Sequence, residues 1–397
     1  MFNTLEAQQP DALLAVMAAY AADTNPDKVD LGVGVYRDSA GVTPVMAAVR
    51  KAEQRLLDGQ LTKAYVGAGG NRAFAAFIEE LTLGVSHPAR AAGRVVTLQT
   101  PGGCGGVRLA ADLIHRASHG ARVLVSEPTW PNHRPLVTGA GLVVDAYPYY
   151  DPATGTLGFD EMLDALARLP AGHVVLLQAS CHNPTGQDLT PAQWLTLADA
   201  LERQQLVPLL DLAYQGLGDG LDADAAPVRL LAARLPEVLI AVSCSKNFGL
   251  YRERVGAVIA VARDTVQAGL VMNHLQILAR RMYSMPPDHG AAIVASIAAD
   301  PVLKAEWLVE LEAMRVRVGT IRSGLAAALR GEFGSGRFDF IEGQRGMFSL
   351  LGLPPAAVAA LASEHHVYIA GDSRINVAGL PETRIERVAR AIRAVCP

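Results

Sequence analysis

Lys246 follows a run of strand-like residues, Val238-Leu239-Ile240-Ala241-Val242, and stands beside two hydroxyls, Ser243 and Ser245. A lysine at the end of a buried strand is costly unless its charge is paired or its pKa is lowered. Lowered, it becomes an amine that forms a Schiff base with an aldehyde. Ser243, Ser245 and Arg254 are what an anionic group such as a phosphate requires. A nucleophilic lysine beside a phosphate cradle suggests pyridoxal phosphate. A surface lysine after an ordinary strand is the plainer reading of this stretch alone.

Ligands of open α/β sheets bind beyond the carboxyl ends of the strands, so the residues just after each candidate strand test that suggestion. After residues 94–99 comes Thr100-Pro101-Gly102-Gly103-Cys104-Gly105-Gly106, a glycine-rich turn opening a helix, which is an anion site or simply a connection. It does not fit the G-x-G-x-x-G dinucleotide fingerprint. After 122–126, Trp130 is either a ring that stacks on an aromatic cofactor or a core residue. After 173–179, the tight Asn183-Pro184-Thr185-Gly186 turn holds an amide toward the site, or is only a turn. After 206–210 comes Asp211, a carboxylate that suits a pyridinium nitrogen or caps a helix. Tyr214, three residues on, can donate to a phenolic oxygen. Five such strand ends along one sheet edge form a stronger signal than any one of them.

The elements that must position these groups read as strand then helix, repeatedly. Candidate strands are 94–99, 122–126, 142–147, 173–179, 206–211, 238–243 and 255–261, with helices at 106–119, 159–168, 191–204 and 226–234. Apolar strands alternating with helices predict an α/β fold with a mostly parallel seven-stranded sheet flanked by helices, plus a smaller α/β domain. The last strand has no room for a helical crossover before it and is expected antiparallel to its neighbour. An arm with a helix at 11–22 precedes a glycine-bearing strand at 29–36 and a helix at 44–57. After Gly269 the pattern turns helical. A long helical stretch, 301–329, leads into short segments at 338–341 and 346–350, a helix at 355–365, a strand at 368–370 and a last helix at 382–395. The expected division is 1–43 (arm and first part of the small domain), 44–305 (large cofactor domain) and 306–397 (small domain).

The chain has 397 residues, 50% hydrophobic and 19% charged, with a formal net charge of −4, so it carries no basic footprint for nucleic acid or a membrane surface. Four cysteines stand without metal-ligand or disulfide-framework spacing, which predicts no metal and a reduced, cytoplasmic chain. Residues 13–22 are too short for a membrane span.

Asn183-Pro184-Thr185-Gly186, Asp211-x-x-Tyr214, Ser243-x-Ser245-Lys246-Asn247-Phe248-Gly249 and Arg254-Val255-Gly256 together resemble the class I pyridoxal-phosphate aminotransferases, in particular the aspartate/aromatic amino acid subgroup. The resemblance runs from Leu31 to Arg374 and implies the fold type I architecture of these enzymes. It implies that Lys246 is the Schiff-base lysine and proton shuttle, and that Asp211 is the pyridinium partner with His133 behind it. Tyr214 and Asn183 match donors to the phenolic oxygen, and Trp130 the ring-stacking aromatic. Gly102, Gly103, Cys104, Ser243, Ser245 and Arg254 fall on the phosphate cradle. Tyr65 matches a tyrosine that reaches a neighbouring subunit's phosphate, which implies a homodimer with shared active sites. Arg374 falls on the arginine that binds the substrate α-carboxylate, Arg280 on one that binds a distal carboxylate across the dimer, and Gly34 on a strand lining the pocket.

Three departures bear on substrate. Cys104 stands where the family usually has a hydroxyl. Ala64 and Met285 replace asparagines of aspartate-selective members, exchanging polar groups for apolar ones. Keeping Arg280 in a softer pocket fits an enzyme that moves the amino group of tyrosine, phenylalanine or aspartate to 2-oxoglutarate; the alternative is an aspartate aminotransferase with little aromatic activity. A lyase or decarboxylase on the same fold is disfavoured by the two arginines. A ligand-sensing regulator is disfavoured by an N-terminal arm too short for a DNA-binding domain, and a dehydrogenase by the missing fingerprint.

Overall fold

The computed structural model describes residues 2–7, 12–152 and 154–396. Its centre is a seven-stranded sheet: β1 (Val95–Pro101), β2 (Arg122–Glu127), β3 (Val143–Pro148), β4 (Val174–Gln178), β5 (Val207–Leu212), β6 (Val238–Ser243) and β7 (Val255–Val261). The spatial order is β1-β7-β6-β5-β4-β2-β3. β7 is antiparallel to both β1 and β6, as the missing crossover predicted, and the other neighbours are parallel. β4, β6 and β7 are buried along their whole length, which is why they read as unbroken apolar runs.

The glycine-rich stretch after β1 is not a turn before a helix. Gly102 to Gly106 form the first turn of helix Gly102–Ala117 itself. The helix lies so close to the sheet that a Cβ added at Gly106 would sit 2.9 Å from the Ala257 carbonyl oxygen and 3.2 Å from the Ala241 Cβ. Glycine is there for close packing, and it lets the helix begin four residues earlier than its composition suggests. The helix expected at 226–234 also starts earlier, as Leu221–Arg234, with Asp222 and Asp224 at its positive end.

The strand expected at 29–36 shrinks to Val29–Asp30, which pairs in parallel with Val367–Tyr368. Beyond it, side chains take the backbone groups that a ladder would use. The Tyr36 N–H donates to the Tyr251 hydroxyl at 2.9 Å, and Asn376 Nδ2 donates to the carbonyls of Val33 and Val35 at 2.6 and 2.7 Å. The first helix is Ala12–Ala22; Asp11, expected to open it, lies outside the described residues. Helices Arg72–Leu83 and His133–Thr138 were not anticipated, whereas His289–Ala299 falls in the region after Gly269 that was expected to be helical.

Helix Pro301–Phe333 ties two hydrophobic cores together. Leu303, Trp307, Leu311, Met314 and Val318 belong to the core against the sheet. One helical run further on, Ile321, Leu325 and Leu329 join a second core with Val29, Leu31, Leu361 and Ile392. Between the two cores Phe348–Leu350 pairs antiparallel with Arg374–Asn376, which sets Phe348 and Arg374 beside the carboxyl edge of the sheet.

Candidate active site

A cavity of about 300 Å³ opens at the carboxyl edge of the sheet, where the ends of β4, β5 and β6 meet the second unit. Lys246 lines it, with its Nζ 4.9 Å from the centre of the Tyr214 ring. Burial is the main influence on this amine and lowers its pKa; Asp211 and Cys104 pull the other way, and the positive charges of Arg254 and Arg374 lower it further. The outcome is a lysine biased toward the neutral, nucleophilic form.

Asp211 sits at the end of β5, almost fully buried, and its Oδ2 is 3.0 Å from His133 Nε2. The opposite ring nitrogen, Nδ1, is 2.7 Å from Thr129 Oγ1, so the imidazole is held at both ends. Trp130 packs edge-on against His133 with ring centres 5.2 Å apart and lines the cavity. A carboxylate so placed needs a cationic partner, and a protonated ring nitrogen is one.

Asn183 links two parts of the site. Its Oδ1 accepts from Arg374 Nη1 at 3.1 Å, and its Nδ2 donates to the Tyr214 hydroxyl at 3.4 Å. Arg374 also donates through Nη2 to the Gly32 carbonyl at 2.9 Å, and its guanidinium lies 4.4 Å from the centre of the Phe348 ring. Its Nε is buried and has no hydrogen-bond partner, and burial lowers its pKa. A buried guanidinium with an unanswered N–H at a cavity is a built site for a carboxylate.

The opposite end of the cavity is an anion cradle. Gly102 has φ of +70°, and a Cβ there would come within 2.5 Å of Arg254 Nη2, so only glycine leaves room. Gly103 packs on Ser243, and both serines are buried. Arg254 Nη1 reaches Ser245 Oγ at 3.5 Å and the Tyr251 carbonyl at 3.0 Å. Cys104 lines the same corner, its sulfur 3.7 Å from Asn132 Nδ2. Together with the free amides at the start of a sixteen-residue helix, these groups suit a phosphate.

Thus the fold gathers Lys246, Asp211, Tyr214, Asn183, Trp130, Gly103, Cys104, Ser243, Ser245, Arg254, Arg374 and Gly34 around one cavity, with Gly102 and His133 directly behind. Gly34 does so from irregular backbone and not from a strand. Tyr65 and Arg280 are not part of the cavity this chain forms: Tyr65 is 90% exposed, and Arg280 lies on the surface, bonded to Ser284 Oγ. Leu13, Val33, Gln178, Ala213, Tyr251 and Phe348 also line the cavity and were missed. Gln178 had a signal, a polar residue in the apolar run of 173–179; Tyr251 lay inside the Lys246 motif. Leu13 and Phe348 arrive from distant parts of the chain and had none.

An amine at one strand end, a carboxylate opposite, hydroxyl and amide donors between them and an anion cradle fit pyridoxal phosphate. Residues 26–392 match the model of the family described as aminotransferase class I and II. The chain belongs to that family. It is 48% identical over 386 residues to the aromatic-amino-acid aminotransferase of Pseudomonas aeruginosa, covering 97% of this chain and 96% of that one. It is 42% identical to the aspartate aminotransferase of Escherichia coli strain K12, over the whole of both chains. The solved structure of an aromatic-amino-acid aminotransferase from Burkholderia pseudomallei, covalently bound to pyridoxal phosphate, superposes with a TM-score of 0.97 at 43% identity and covers both chains fully. This aminotransferase is therefore a pyridoxal-phosphate enzyme. No helix among the described residues is long and apolar enough to cross a membrane.

Proposed function

We propose that this aminotransferase moves the amino group of aromatic amino acids, tyrosine and phenylalanine, and of aspartate to 2-oxoglutarate, the two half-reactions alternating in one cavity. The observation that carries the reading is Arg374: a buried guanidinium lining the same cavity as a lysine whose amine is biased toward neutrality. Every amino donor and oxo acid in such a reaction has an α-carboxylate to pair with that guanidinium. The relatives named for aromatic amino acids and for aspartate support the same donor classes.

Bound pyridoxal phosphate supplies an aldehyde that takes up the amino group and a ring that withdraws electrons from the substrate Cα. Lys246 Nζ would be its covalent anchor and is the amine placed to take and return the substrate's α-proton. Asp211, steadied by His133, holds a proton on the ring nitrogen. Tyr214 and Asn183 supply donors toward the phenolic oxygen. Trp130 covers one ring face, and Gly102, Gly103, Cys104, Ser243, Ser245 and Arg254 hold the phosphate. Arg374 orients the α-carboxylate as a planar fork, with Gly34 leaving space beside it.

A homodimer completes this reading: Tyr65 and Arg280, exposed on one chain, serve the partner's phosphate and the distal carboxylate of its substrate. The exposed apolar side chains Leu57, Leu61 and Tyr65 are consistent with a covered surface. We carry the division at residues 43 and 305 as part of the proposal, the long helix passing from the sheet core to the second core between Val318 and Ile321, and place the enzyme in the cytoplasm on its four free cysteines. Comparing kcat/KM for aspartate, tyrosine and phenylalanine with 2-oxoglutarate as acceptor tests the substrate reading. Aspartate favoured by more than about a thousandfold would leave the alternative, an aspartate aminotransferase with little aromatic activity.

A further inference from the structure

Gln178 is the last residue of β4 and stands directly across from Asp211 in the parallel register with β5. Its side chain lines the cavity but spends both of its polar ends on one neighbour. Nε2 donates to the Asn183 carbonyl at 2.9 Å, and Oε1 accepts from the Asn183 N–H at 2.8 Å. A primary amide paired in this way with a peptide unit reads it on both sides, much as a neighbouring strand would, and it fixes the rotation of the residue it grips. The gripped residue is the one that must face two ways. Asn183 presents Oδ1 to Arg374 and Nδ2 to the Tyr214 hydroxyl. A rotation of its backbone would misaim both contacts together.

We propose that Gln178 is a positioning residue that couples the carboxylate-binding arginine to the cofactor's oxygen donors by locking the backbone of Asn183. The chemistry requires an amide there. A carboxylate would accept from the Asn183 N–H but could not donate to its carbonyl, and would place a second negative charge beside Asp211. An apolar side chain would leave a buried N–H and a buried C=O without partners. Amide neutrality also keeps the clamp the same across the pH range in which the site works.

The inference rests on the roles proposed above for Asn183 and Arg374, so the test separates the two layers. Holoenzyme of wild type, Gln178→Leu, Gln178→Glu and Asn183→Ala is titrated by cofactor absorbance against pH, and KM and kcat for the amino donor are measured alongside. In Gln178→Leu the absorbance midpoint moves upward by about one unit, because donors to the ionised oxygen are misaimed. KM rises about tenfold with a smaller change in kcat. Gln178→Glu retains the accepting half of the clamp and falls between wild type and the leucine variant in KM; it carries the test if the leucine variant does not fold. The double variant Gln178→Leu/Asn183→Ala shifts the midpoint no further than Asn183→Ala alone. If Asn183→Ala moves the midpoint and neither Gln178 variant does, the positioning role is overturned. If Asn183→Ala itself moves nothing, the role proposed for Asn183 fails first. A lowered melting temperature with unchanged midpoint and KM would make Gln178 a structural residue only.

Discussion

Replacing Arg374 by lysine keeps the charge and removes the fork, so it isolates what the planar guanidinium contributes. In the structure Arg374 spends Nη1 on Asn183 Oδ1 and Nη2 on the Gly32 carbonyl, rests on the Phe348 ring, and keeps Nε unanswered. A lysine ammonium is a single point and cannot occupy all three directions from one position. If it faces the substrate, Asn183 Oδ1 and the Gly32 carbonyl lose their donor; if it stays with them, the substrate carboxylate loses its own. One charge-assisted hydrogen bond to substrate contributes about 1.5–3 kcal/mol, and a buried acceptor left without a donor costs about 1–3 kcal/mol. Whichever way it faces, the carboxylate loses a well-aimed donor, which is about 1.5–3 kcal/mol in kcat/KM, or about one to two powers of ten. Because every substrate has an α-carboxylate, Arg374→Lys should lower kcat/KM by a similar factor for tyrosine, phenylalanine, aspartate and 2-oxoglutarate. Steady-state kinetics with each donor and acceptor measures this, and the cofactor absorbance of the resting enzyme confirms that the site is otherwise formed. A loss below about threefold for all four, or one confined to the dicarboxylates, would refute the assignment of Arg374 to the α-carboxylate.

Lys246→Ala should lower turnover by orders of magnitude while the enzyme still retains cofactor through Asp211 and the phosphate cradle; gel filtration followed by absorbance reads retention, and near-normal turnover would remove Lys246 from its role. Arg280→Leu should cut kcat/KM for aspartate and 2-oxoglutarate about a hundredfold while changing phenylalanine by less than about threefold, since only dicarboxylates have a distal charge to lose. Cys104→Ser restores a hydroxyl to the cradle and should tighten cofactor binding a few-fold, measured by reconstituting apoenzyme at graded cofactor concentrations; a large loss of binding would misplace Cys104. Burial holds the His182 imidazole at about 3, below its ordinary 6.5. The unfolded chain therefore takes up a proton below about pH 6.5 that the native site refuses, and this group drains stability as pH falls from there toward 3. Asp188, which accepts from the His182 N–H at 2.9 Å and is raised by burial to about 6, works oppositely: its penalty is present above about pH 6 and is relieved as pH falls toward 3.8. Denaturant midpoints between about pH 7 and pH 4 should accordingly fall more steeply in Asp188→Asn than in wild type.

What the sequence makes legible follows from cost. Lys246, Asp211 and Arg254 stand at the ends of apolar strands or beside them, where an ionisable side chain is expensive enough to imply a partner. Their meaning could be read before any contact was known. Strands β4, β6 and β7 were the most legible for the same reason: residues buried on both faces leave no polar alternation to confuse the pattern. Glycines read less well, because the same residue serves a turn or a close approach. Gly102 to Gly106 look like a loop, yet they form the first turn of a helix pressed so close to the sheet that a Cβ on Gly106 would sit 2.9 Å from the Ala257 carbonyl oxygen. The stretch around Gly34 looks like a strand, and fails to become one because Tyr251 and Asn376, hundreds of residues away, use its hydrogen-bonding groups.

Neutral residues are the least legible of all, and the site depends on them. Phe348 has no charge to explain and nothing in its local sequence declares it, and Gln178 shows only as one polar residue in an apolar run. Yet Phe348 lies under the Arg374 guanidinium and edge-on to Tyr214 with ring centres 6.0 Å apart, and Gln178 grips Asn183, which touches both Arg374 and Tyr214. Arg374 and Tyr214 therefore share two neutral supports, one from each side of the cavity. A change that tilts either support moves Arg374 and Tyr214 together. That shared support gives a physical reason for substrate binding and cofactor tuning to vary in concert in this enzyme, even when the substituted residue carries no charge.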